Sequence, residues 1–127
     1  MNPAIKHIEE AKKYYQIALE EIEKSKGNGK IEYAVDGCDK GWLALNIALS
    51  AMFLQKGIKE EELPKTYRGT RFFVTKYGDK NVKNLFNYTR DVLHVNGFWD
   101  RDPEIDRALE VLDDVKIFIE TLEKQNK

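Results

Sequence analysis

Asp36-Gly-Cys-Asp-Lys-Gly-Trp42-Leu-Ala-Leu-Asn-Ile-Ala-Leu-Ser-Ala-Met-Phe-Leu-Gln-Lys-Gly57 is the stretch on which the fold turns. Within a helix running from about Ile31 to Lys56, one apolar stripe holds Ala34, Cys38, Trp42, Leu45, Leu49 and Met52. A second apolar set, Leu43, Ile47 and Leu54, lies on the opposite side. A helix that is apolar on both sides is either central in a bundle or shared with a second subunit. Gly37 and Gly41 stand one turn apart inside it. Glycine costs about 1 kcal/mol against alanine in a helix interior, so close approach of another backbone is the expected compensation. Trp42 and Cys38 read as core.

Upstream, Ala4, Ile8, Ala11, Tyr15, Ala18 and Ile22 mark a first helix from about Pro3 to Lys26. Pro3 suits its first turn, and Gly27-Asn28-Gly29 ends it. Downstream, Gly57 stops the second helix. A charged connector, Lys59 to Glu62, leads to Pro64, which is expected to open a short third helix from about Lys65 to Tyr77. Asp79 then caps a fourth helix, about Lys80 to Asn96, whose buried face is Val82, Leu85, Phe86, Thr89, Val92 and Leu93. Gly97 is the expected stop. Asp102-Pro103 is expected to cap a fifth helix reaching about Lys124, with a core stripe of Ile105, Leu109, Leu112, Val115, Ile119 and Leu122. No strand pattern or repeat interrupts this series. The expectation is a single all-α domain over residues 1–127, a bundle of four long helices and one short one.

A chain of 127 residues can bury a core without staples. Cys38 is the only cysteine, so no internal disulfide forms; with two histidines beside it, no dedicated zinc site is expected, and no cofactor motif is present. The longest apolar run, near Trp42–Leu54, is broken by Asn46 and Ser50 and is too short and polar for a membrane span. The opening Met-Asn-Pro-Ala-Ile-Lys has no apolar leader. These features point to a cytoplasmic protein without membrane association.

The net charge of −1 conceals an asymmetry. Between Lys65 and Arg90 there are seven bases (Lys65, Arg68, Arg71, Lys76, Lys80, Lys83 and Arg90) against one acid, Asp79. Such a segment forms a basic patch. Tyr67, Phe72, Phe73, Tyr77, Phe86 and Tyr88 interleave with the bases. Basic and aromatic side chains together suit phosphate contact with base stacking. The plainer reading puts the aromatics in the core and the bases in solvent.

The chemistry-bearing residues lie in Asn87-Tyr-Thr-Arg90-Asp-Val-Leu-His94-Val-Asn-Gly97-Phe-Trp-Asp-Arg-Asp-Pro103. Lys83, Asn87, Arg90 and His94 form a polar row beside the buried face, because neighbours three or four apart on a helix lie side by side. Histidine transfers protons near neutral pH. Arginine offers a planar fork to phosphate. Together, Arg90 and His94 are equipped for metal-independent RNA cleavage, with the ribose 2′-hydroxyl as nucleophile and Arg90 holding the charge that builds on the phosphate. One helix supplies half of an acid–base pair, so a dimer would have to present two. The alternative is a scaffold histidine in the last turn, favoured there by the helix dipole. Asp36 and Asp39, Asp113 and Asp114, Glu9 and Glu10, and His7 read as solvated groups.

A small-residue-rich second helix ending Lys56-Gly57, followed by a later helix ending Leu93-His94 before the aromatic turn Phe98-Trp99, resembles the HEPN-like superfamily, closest to its small archaeal and bacterial members. The likeness spans nearly the whole chain at the level of helix order. It implies an α-helical bundle, often dimeric, that associates with RNA or a nucleotide. Active members are metal-independent ribonucleases, frequently toxins or defence effectors, and many are paired with a small nucleotidyltransferase. Their motif carries Arg, a polar residue and then His, at a longer spacing than the three residues between Arg90 and His94 here.

Three functions follow. The first is a weakly active or non-catalytic module that dimerises and associates with RNA, a nucleotide or a partner protein, with Lys65, Arg68, Arg71, Lys83 and Asn87 as its contacts. The second is a ribonuclease using Arg90 and His94 as catalytic residues. The third is a structural partner of a nucleotidyltransferase, with the basic segment against an acidic protein.

Overall fold

Asn2 Oδ1 accepts a hydrogen bond from the amide of Ala4 at 2.8 Å, and from that cap α1 runs Pro3–Asn28. In this computed structural model, which describes residues 2–126, helix α2 spans Ile31–Gln55, α3 Tyr67–Tyr77, α4 Lys80–Thr89 and α5 Ile105–Gln125. A ten-residue π-helical segment, Arg90–Trp99, continues directly from α4, and a single 3₁₀ turn occupies Glu60–Glu62. No strand forms among the described residues.

The α1–α2 hairpin is the spine. Gly29 and Lys30 connect the two helices, and Ser25 Oγ donates to the Lys30 carbonyl at 2.9 Å across the turn. One of the two glycines inside α2, Gly37, makes this pairing close. A Cβ on Gly37 would lie 2.7 Å from Ile22 Cγ1 and 3.0 Å from the Ala18 carbonyl oxygen, so α1 backbone does approach there. Gly41 instead receives side chains, Leu112 from α5 and Leu93 from the π segment, at 2.8 and 2.9 Å from its would-be Cβ. Helix α2 is therefore central, touching α1, α5 and the π segment. The core is aliphatic with two large rings, and Leu45, Leu49, Phe53, Phe86, Leu93 and Leu112 are all fully buried. Each contributes about 1.5–3 kcal/mol by leaving water. Lys12 Nζ to Glu123 Oε2 at 2.7 Å ties α1 to α5, and Gln55 Nε2 to the Leu122 carbonyl at 2.9 Å ties α2 to α5.

Three local expectations are corrected. Helix α3 starts at Tyr67 rather than Lys65, because Thr66 takes the cap, its side-chain oxygen accepting from the Gly69 amide at 3.0 Å. Gly97 does not stop the fourth helix: it is buried inside the π segment, where the next backbone bonds run from each amide to the carbonyl five residues back, as Asp100 to Val95 at 2.7 Å. The break comes at Arg101, whose φ of 56° is left-handed. Asp102-Pro103 does not cap α5 either; the helix begins at Ile105 with Glu104 in the cap position and no side-chain bond to it. Asp79, by contrast, caps α4 as expected, its Oδ1 accepting from the Val82 amide at 2.9 Å.

Candidate functional site

The π segment carries the histidine and arginine toward α2 and α3. His94 is half buried and stacks on Trp42 of α2, with ring centroids 5.0 Å apart and planes 18° apart. Phe98 stacks parallel to it at 6.4 Å and 9°. Trp42 in turn meets Phe86 at 5.4 Å and Tyr67 at 6.5 Å, so an aromatic cluster joins α2, α3, α4 and the π segment. Trp42 is thus half buried and forms one wall of this site as well as packing on the core.

His94 Nδ1 is buried and has no hydrogen-bond partner. A proton there would be unsatisfied, which favours the neutral ring with its hydrogen on Nε2. Burial, reinforced by the nearby Arg90 charge and opposed by Asp39, lowers the imidazole pKa below its ordinary value. Cys38 lies beneath the segment against Gly97 and is fully buried. Desolvation pushes its thiol up to about 12, so it stays protonated and is no nucleophile.

Arg90 is engaged within the chain. Its Nε and Nη2 donate to Asp91 Oδ1 at 3.0 and 2.8 Å, and its Nη1 donates to the Tyr67 hydroxyl at 3.0 Å. The bonds to Tyr67 and Asp91 hold the guanidinium pKa above its usual value. Arg90 remains half buried, with its fork turned along α3 rather than left open. Sequence reasoning missed Tyr67 and Asp91 as its partners. Adjacency was a signal for Asp91; nothing local marks Tyr67, which is 23 positions away.

The proposed contact residues divide differently. Lys65, Arg68 and Arg71 are exposed on or just before α3, and Asn87 is exposed on α4 with Lys83 half exposed beside it. Among the described residues none forms an ion pair with Lys65, Arg68, Arg71 or Lys83. Helices α3 and α4 run antiparallel: Tyr67 at the start of α3 meets Arg90 just past the end of α4, and a Cβ on Gly78 would meet Val82 Cγ1 at 3.0 Å at the other end. Phe72 is 60% exposed between these bases, and Tyr67 is 42% exposed. Phe73, Tyr77 and Phe86 are in the core or packed against it. The aromatics of the segment are therefore split, with Phe73, Tyr77 and Phe86 structural and Tyr67, Phe72 and Tyr88 presented to solvent.

Among the described residues no group of His, Cys, Asp and Glu is arranged to hold a metal ion, and no helix is long and apolar enough to cross a membrane. Compared with protein-family models, curated proteins and solved structures, the chain matches none.

Proposed function

We propose that this chain is a HEPN-like helical module that forms a homodimer and binds RNA through the α3–α4 face without cleaving it. The observation that carries this reading is that Arg68 and Arg71, exposed and without an ion pair among the described residues, lie on the same helix as the exposed ring of Phe72. Unpaired guanidinium groups release counterions when they neutralise phosphates, and an exposed ring stacks on any base. Lys65, Lys83 and Asn87 extend the face on either side. The homodimer rests on the exposed Leu43 and half-buried Ile47 and Leu54 of α2, a face that no other helix of the chain covers completely.

The test is anisotropy of a labelled single-stranded RNA titrated with protein over a range of salt. Wild type should bind more weakly as salt rises, and Arg68→Glu with Arg71→Glu should abolish binding at low salt while the helical circular dichroism stays unchanged. Changing Arg68 and Arg71 singly to alanine should each reduce the salt slope by roughly 0.7. No binding at low salt would remove the nucleic-acid reading and leave a protein partner, with a small nucleotidyltransferase as the one to try first.

One observation favours the ribonuclease reading. His94 is held neutral near pH 7, which is the state a general base needs. Against it stand the Arg90 fork bonded to Asp91 and Tyr67, and the buried Nδ1. Incubation of RNA with wild type, His94→Ala and Arg90→Ala in a chelator separates the two. Cleavage by the wild type that both variants lose would replace the binding-only reading.

A further inference from the structure

Strain and unmet polar groups gather in one stretch of the chain, residues 89–101. Among the described residues three buried side-chain atoms have no hydrogen-bond partner, and two of them, Thr89 Oγ1 and His94 Nδ1, lie here. Thr70, Thr75 and Thr121 each return their hydroxyl to the carbonyl four residues back, at 3.0, 2.9 and 2.9 Å. Thr89, fully buried at the junction of α4 and the π segment, does not. Arg101, the one non-glycine residue with a positive φ among the described residues, closes the stretch. Between the two the backbone is π-helical for ten residues. Such helices are mostly single-turn bulges and are frequent at functional sites. Unfavourable local geometry of this kind persists only where surrounding structure imposes it.

Here the imposing structure is α2. Leu93 reaches over Gly41, the His94 ring lies on Trp42, and Gly97 closes on Cys38. The local sequence asks for something else: its periodicity and Gly97 suit an α-helix that stops near Asn96. The π register is thus a product of packing on α2, and His94 is the contact that a proton can undo. An imidazolium donates from both nitrogens, and Nδ1 is buried with nothing to accept from it. The charges acting on the ring are Asp39 of α2, which attracts a proton, and Arg90 of its own segment, which repels one. Asp91 is taken up by the Arg90 fork, as is the Tyr67 hydroxyl of α3, and the Cys38 thiol of α2 is uncharged. No carboxylate pairs with the ring among the described residues.

We propose that Arg90–Trp99 is an acid-sensitive latch, π-helical and seated on α2 while His94 is neutral, and released into an α-helical register with His94 turned to solvent once the ring is protonated. Release uncovers the two α2 side chains that the segment covers, Trp42 beneath His94 and Cys38 beneath Gly97. The device is independent of the RNA-binding reading, since it involves neither Arg68, Arg71 nor Phe72.

The experiment follows the full chain from pH 7.5 to 5 by backbone amide NMR, with labelling of the single cysteine by 4,4′-dithiodipyridine at each pH. The amides of Val92–Trp99 and the indole N–H of Trp42 should move to a second set of positions with one midpoint below pH 6.5, while the amides of α5 stay in place. Cys38 should become reactive over the same range. His94→Phe keeps the stacked shape without a titrating nitrogen, so its segment should hold the neutral-pH positions throughout and its cysteine should stay unreactive. Asp39→Asn removes the charge that attracts the proton and should move the midpoint to lower pH. A His94 ring that titrates while the segment amides and Cys38 reactivity stay fixed would overturn the latch. So would the same transition in His94→Phe, or simultaneous loss of the α5 amides, which would mean global unfolding.

Discussion

The imidazole of His94 and the indole of Trp42 are stacked 5.0 Å apart, with one ring nitrogen of the histidine buried and unbonded between the π segment and α2. A ring that stacks this well but carries an unsatisfied nitrogen is held by its shape more than by its polarity. Phenylalanine preserves the shape and removes the nitrogen.

His94→Phe should therefore fold with stability equal to or above that of the wild type at neutral pH. The two proteins should also differ in their pH dependence. Folded His94 binds its proton more weakly than a free imidazole with its pKa of 6.5, so the unfolded chain takes up more protons below that pH. The contribution of the neutral ring is complete above pH 6.5 and is lost as the pH falls through the lower folded value. Thermal melts of wild type and His94→Phe across pH 5 to 8 should converge or hold a constant offset above about 6.5 and diverge below it, the wild type losing more. Parallel curves throughout would mean that His94 is not desolvated as described.

Gly97 of the π segment sits against Cys38 with no room for a side chain. A Cβ on residue 97 would stand 2.5 Å from Cys38 Sγ and 2.7 Å from its Cβ. Gly97→Ala should cost about 1–3 kcal/mol, the usual range for overpacking a filled core, in spite of alanine's better helix propensity. Cys38→Gly opens the space, so in urea melts the double variant should lose less than the sum of the two single losses. Stabilisation by Gly97→Ala alone would show that the segment relaxes to an ordinary α-helix at no cost.

Leu43 is 38% exposed on the outer side of α2, with Ile47 and Leu54 half buried along the same side. If a second copy covers this face, light scattering should report a dimer at high micromolar concentration, and Leu43→Lys should give a monomer with unchanged helicity. Leu43 is not itself one of the fully buried side chains. A wild-type monomer under those conditions would exclude the dimer.

Much of the scaffold was legible in the chain because it is written in short-range terms. The stripe from Ile105 to Leu122 reads directly as the inner face of α5: Leu112, Val115, Ile119 and Leu122 are buried, and Ile105 and Leu109 pack against them. Asp79 could be seen as a cap because its side chain needs only the amide three residues on. Asp102-Pro103 looked equally good and failed, because the left-handed residue at Arg101 delays the turn into α5. A strained φ at a non-glycine residue has no composition signal. Of the candidate site, the exposure of Arg68 and Arg71 was readable from charge alone, whereas the split between exposed Phe72 and packed Phe73 depends on the face that α3 turns to Phe53, 5.3 Å from Phe73.

The sequence by itself determined an all-helical chain, the order and approximate limits of its helices, and the inner face of each, since helical periodicity and caps act over three or four residues. Only the tertiary structure decided that Arg90–Trp99 coils as a π-helix, that Gly97 seats on Cys38, and that Arg90 is bound by Tyr67. Those outcomes join residues far apart in the chain, and a helical register shift of this kind is set by which side chain fits the neighbouring helix, a comparison that exists only after the helices have packed.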